Sequence, residues 1–158
     1  MRLTVGKGID NYIKDLGNLE INAPEAIKEA VYAGADIVTD EIRKNLEALP
    51  VDDRPYAEKV TGLRSIQKKG LEKSLGIAPI RNDRGYINVK AGFDGYNKLV
   101  SKKYPEGQPN AMIARTYEAG NSFTKKLPFV APAVRATRDK AEAKMAEIID
   151  AETAKIMK

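Results

Sequence analysis

The chain has no cysteine, no histidine and no tryptophan. The first two absences remove thiolate nucleophiles, Ser-His and Cys-His arrangements, disulfides, and zinc sites built from nitrogen and sulfur ligands. Aromatic residues are scarce as well, three Phe and seven Tyr, so aliphatic residues and alanine have to do most of the packing. No run of about 18 apolar residues occurs, and residues 1–5 lead into polar sequence without an apolar signal core. We therefore expect neither a signal peptide nor a membrane span, and an interior compatible with the bacterial cytoplasm.

The 158 residues present fit one domain, 1–158, with appendages. A short alternating run, Arg2-Leu3-Thr4-Val5, predicts an edge strand, and Ile9, Tyr12, Ile13 and Leu16 predict a short helix ending at Gly17. Asn22 as N-cap, Pro24 in a first turn and Glu25 three residues after the Asn predict the start of a long helix. Its stripe is Ile27, Val31, Gly34 or Ala35, Val38, Ile42, Leu46 and Leu49, stopping before Pro50.

Periodicity then fails from Val51 to Gly70, and we expect irregular structure there. Residues 75–80 and 86–91 read as the two arms of an extended hairpin, joined by Arg81-Asn82-Asp83-Arg84-Gly85, with Pro79 marking an edge or a bulge. Residues 93–110 have the composition of a projecting loop. Residues 111–119 predict a short helix entering the turn Gly120-Asn121-Ser122. Residues 129–158 predict a C-terminal helix carrying Val130, Val134, Ala141, Met145, Ile148 and Ile149, with Pro132 tolerated in its first turn. The expected fold class is α+β, two long helices packed on a small, mostly antiparallel sheet.

Charge is distributed unevenly. Residues 1–58 hold seven bases and twelve acids, residues 59–84 seven and two, and residues 85–158 thirteen and eight. An acidic front and a basic middle allow one copy to meet the next through opposite patches, or a basic surface to line a space that holds DNA. The bases concerned are Lys68, Lys69, Lys73, Arg81 and Arg84, joined by Lys98, Lys102 and Lys103, which flank Tyr96 and Tyr104. An acidic helix face near Asp36, Asp40 and Glu47 is the complement. Neither 51–69 nor 93–110 has periodicity, so both are expected to be ordered chiefly by neighbouring subunits.

Catalytic devices are not visible. Gly6-Lys7-Gly8-Ile9 lacks the spacing with which a phosphate loop wraps its ligand. The carboxylate pairs Asp40-Glu41 and Asp52-Asp53 are adjacent, so they diverge on a helix or are solvated in a loop. Gly92-Phe93-Asp94-Gly95 lacks the alternating oxygen ligands and closing Glu of a calcium loop. We expect no catalytic, cofactor or metal residues, no cofactor and no enzyme.

Several segments in order resemble one family. Gly70-Leu71-Glu72-Lys73-Ser74-Leu75-Gly76-Ile77-Ala78-Pro79, Val89-Lys90-Ala91-Gly92-Phe93-Asp94-Gly95-Tyr96-Asn97, Gly107-Gln108-Pro109-Asn110, Glu118-Ala119-Gly120-Asn121-Ser122 and Leu127-Pro128-Phe129-Val130-Ala131-Pro132-Ala133-Val134 look like the gp-ten-like tail components of siphophages. The chain departs from that pattern by its insert around 93–110 and by Lys69 before Gly70. The resemblance implies a virion protein of a tailed phage or prophage, made in the host cytoplasm. Its expected place is the head–tail junction or upper tail, as a tail-completion or head–tail connector (neck) subunit. Its expected partners are itself in a ring, expected to be sixfold, and neighbouring head-completion, tail-terminator or tail-tube proteins. Packaged DNA would be touched without sequence specificity, and no membrane is involved. The motif positions carried over are structural: Gly70, Leu71 and Ser74 entering the hairpin, Glu118 and Gly120 at a turn, and Pro128, Phe129 and Pro132 seating the last helix. A terminator capping the tail tube and a basic DNA-binding accessory protein are the competing readings.

Overall fold

The computed structural model describes residues 7–55 and 60–157, with side-chain surroundings from Asn22 onward; the strand expected at 2–5 lies outside them. Its spine is α1, Lys7–Glu47, one helix where the sequence predicts two. Gly17 does not end it, and Pro24 lies inside it rather than in a first turn. A mid-helix glycine costs only about 1 kcal/mol relative to alanine. Pro24 removes a single hydrogen bond, and its neighbours Ala23, Glu25 and Ala26 favour helix. The downstream half is fixed by packing, which contributes more than local propensity.

The C-terminal helix α4, Val130–Ile156, runs antiparallel to α1, with Asn45 donating to the Phe129 carbonyl at 3.1 Å at one end and Gly34 lying against Met145 further along. The seam is made of small residues. Ala30 and Gly34 on α1, and Ala133, Thr137 and Ala141 on α4, recur four apart and are all buried, and Gly34 lies closest to Met145 and the Ala141 carbonyl. A Cβ added at Gly34 would stand 2.7 Å from Met145 Sδ, so the missing side chain sets how closely the helices approach.

Between these helices the chain builds α2 (Ser65–Ser74), a four-strand ribbon and α3 (Asn110–Ala119). Helix α2 replaces the end of the stretch expected to be irregular. Its inward face is short and mixed, Gln67 and Leu71, so no apolar stripe announces it. In the ribbon, β1 (Leu75–Ile77) pairs antiparallel with β4 (Ala91–Phe93), and β2 (Arg81–Asp83) with β3 (Tyr86–Asn88). Three residues, 78–80, oppose two, 89–90, between the pairs, which is the bulge that Pro79 predicts. The turn is tighter than expected: Asn82 and Asp83 are strand, and only Arg84 (φ 56°) and Gly85 (φ 90°) make the corner. Positive φ at both central residues is the requirement of a type I′ hairpin.

The core gathers where all these elements meet. Leu46, Leu63, Leu71, Ile113, Tyr117 and Phe129 are buried together, and Phe93 meets the Phe129 ring edge-on at 5.9 Å between centroids. The fold is α+β, with two long helices and a small antiparallel strand set.

Candidate functional surface

Most of the polar chemistry of this chain is spent on joining its elements. Glu118, at the end of α3, receives Phe129 N at 2.8 Å and Val130 N at 3.0 Å on one oxygen, and Ala131 N at 2.8 Å on the other. It therefore caps α4, whose first amides have no partner within the helix. Burial raises the Glu118 carboxyl pKa, but these three amides and the Lys126 charge outweigh it and leave it below the ordinary value. Gly120 leaves α3 at φ 72°, and a Cβ there would lie 2.9 Å from Lys126 N. Phe129 is fully buried, Pro128 exposed, and Pro132 sits in the first turn of α4.

The stretch before α2 is held from within the chain. Asp52 is buried and accepts from Arg54 Nε and Nη2, both 2.8 Å, from Thr61 N at 3.0 Å and from Thr61 Oγ1 at 3.0 Å. The Arg54 guanidinium foremost, then the Thr61 amide, hold its carboxyl far below the usual carboxylate range. Asp53 accepts from Ser65 N at 2.9 Å and from the Ser65 hydroxyl at the start of α2. The expectation that this pair is solvated is corrected for Asp52, which is buried, and holds for Asp53, which is exposed while it accepts from Ser65. The described residues of 51–69 thus make hydrogen bonds within their own chain.

Residues 94–109 are also tied down at their base. The Asn97 side chain, 2% exposed, donates to the Ile66 carbonyl at 3.2 Å and the Asn110 side chain at 3.4 Å, while its Oδ1 accepts from Leu99 N at 3.1 Å. Two glycines make room for it. A methyl at Gly70 would overlap Asn97 Nδ2, and one at Gly107, already at φ 102°, would overlap the Asn97 carbonyl. Gln67 is buried beside this knot and accepts from Tyr117 Oη at 2.7 Å. Sequence patterning passes over Asn97, Gln67 and Asn110 because a buried amide resembles a loop residue until its partners are known.

The eight bases singled out by sequence separate into three groups. Lys68 turns inward, its ammonium 2.6 Å from the Glu47 carbonyl and 2.9 Å from that of Leu49, where it closes the C-terminus of α1. Lys69, Lys73 and Lys98 line one open groove of about 1040 Å³ between α2, β1 and β4, together with Lys90, which lies inside a strand-like run. Arg81 and Arg84 sit exposed at the ribbon end; Lys102 and Lys103 are exposed in the loop, Lys103 Nζ lying 5.5 Å over the Tyr104 ring.

The groove floor is bare. Gly76 and Gly92 face each other across the β1–β4 pair, and a Cβ on either would meet nothing within 4 Å. Ile77, Ala78, Pro79 and Phe93 add apolar surface, Tyr96 is 66% exposed at the margin, and Asp94 is the acid among the lining residues. Among the described residues no cluster of three acids could hold a metal ion, and no helix is long and apolar enough to cross a membrane. Comparison of the chain with protein-family models, curated proteins and solved structures gives no match.

Proposed function

We propose that this is an architectural protein, an assembly subunit that works by contact and carries out no reaction. Within that class we assign it to a tailed phage or prophage, as a tail-completion or head–tail connector subunit forming a ring around the DNA channel. The observation that carries the reading is the placing of large apolar side chains at the extremities. Tyr86 at the ribbon turn is 72% exposed, Val100 in the 94–109 loop 63%, and Phe123 in the turn after α3 75%. Each stands outside a core that is complete without it, as side chains do when another subunit covers them. The open basic groove and the order of the family-like segments support the same reading.

Reconstruction of the particle, with the purified chain sized by mass photometry, tests it. A closed oligomer and density for this chain at the head–tail junction are expected; density at the far end of a tube cap would favour the terminator. A chain that stays monomeric at high concentration and is missing from virions overturns the assignment. The lysine-lined groove favours one other reading, a DNA-binding accessory protein, which requires tight and steeply salt-dependent binding of duplex DNA by the monomer.

A further inference from the structure

Four exposed lysines, Lys69, Lys73, Lys90 and Lys98, surround a groove whose floor is apolar and partly without side chains, with Asp94 as the acid among its lining residues. Such a floor offers little to phosphate, which needs donors, and Asp94 opposes it. It suits the flank of an amphipathic helix bearing carboxylates, with apolar contact below and ammonium groups along the rim. The chain itself carries one. On the outer face of α1, Glu29, Asp36, Asp40 and Glu47 fall at steps of seven, four and seven, a narrow stripe along one side of the helix, and all four are exposed.

The stripe does not fill the groove of its own chain: its acids are exposed, and the partner Asp40 has is Arg43 on the same helix, at 2.7 Å. The ribbon meets α1 beside it, where the Ile80 amide donates to Tyr32 Oη at 3.0 Å. Lengths agree as well. Asp36 to Glu47 covers about 16 Å of helix, and the groove, followed along α2 from Lys69 and then β1 to Ala78, is at most about 21 Å long.

We infer that the groove between α2 and the β1–β4 pair receives the acidic stripe of α1 from a second copy of this chain, in a head-to-tail contact. Groove and stripe are different surfaces of one molecule, so each copy offers one of each and the contact propagates until it closes. The inference rests on the ring reading and names the contact within it.

A charge-swap mixture tests it. One variant carries Lys69→Glu and Lys73→Glu, the other Asp36→Lys and Asp40→Lys, each checked for an unchanged helical spectrum and thermal midpoint. Alone, each needs a concentration more than about tenfold higher than wild type to assemble in sedimentation velocity. Mixed in equal amounts, they assemble within about threefold of wild type, because the acidic groove of one takes the basic stripe of the other. Assembly of either variant alone at the wild-type concentration overturns the inference and leaves the ring reading standing. So does a mixture that fails to recover, or a groove variant whose rings form normally but lose duplex DNA, which would make DNA the occupant. A wild-type chain that never oligomerises removes both.

Discussion

Phe129 links the two long helices to everything between them. It precedes α4, its carbonyl is held by Asn45 of α1, and its ring is wholly buried against Phe93 of the ribbon. With so few aromatics in the chain, no neighbour can fill the space it leaves, so Phe129→Ala should cost about 3–5 kcal/mol. Chemical denaturation with an unchanged slope checks this, and a midpoint equal to wild type would remove Phe129 from the core.

Glu118 acts at the same junction through charge. Because its folded pKa is lowered, its stabilising contribution is present above the unfolded value, about 4.3, and is lost as the pH falls through the folded pKa. Glu118→Gln should therefore lower stability by about 1–2 kcal/mol at neutral pH. The gap between variant and wild type should close in acid, and unfolding curves taken from pH 7 to 3 read it directly. A gap of constant size would mean that the carboxylate charge has no part in the cap.

At the scale of elements, what was legible in the sequence was the apolar repeat. The part of α1 carrying Ile42 and Leu46, the start of α4 after Phe129, and α3 follow from the apolar spacing, and the bulge at Pro79 follows from the missing amide of proline. Helix α2 was hidden since Gln67 occupies a core position and Lys68 turns inward, so a polar face reads as a solvated one. The single continuous α1 was hidden for the opposite reason: Gly17 and Pro24 are local signals, and a helix of this length is decided by tertiary packing. Of the surface, three of the four groove lysines were named in the sequence, Lys69 and Lys73 in the basic middle and Lys98 in the loop, but not as one cluster. Lys90 was not singled out, since its place depends on β4 folding back along β1.

Lys68 also gives the clearest test of how elements are joined. Its ammonium meets the last carbonyls of α1 where the helix dipole is negative. Lys68→Met keeps the packed stem and removes the charge, and should cost about 1 kcal/mol. The loss should be local, seen as faster amide exchange at Ala48 and Leu49 with protection elsewhere unchanged; uniform acceleration would show that Lys68 supports the whole core.

For the molecule as a whole, the position of its two longest elements governs how it can be made. The helices that pack against each other come from opposite ends of the chain, and α2, the ribbon and α3 all lie between them in sequence. At about 5–20 residues per second, the roughly 80 residues separating α1 from α4 take on the order of 4–16 s to synthesise. Throughout that interval the apolar side of α1 has no α4 to cover it, and a ribosome-stalled chain ending before Val130 should be cut by protease within α1 while the released chain resists. The same delay applies in refolding as the entropy of closing a long loop. On the proposed ring reading it also sets an order of events: a subunit offers a finished α1 to a neighbour only after its own α4 has been translated.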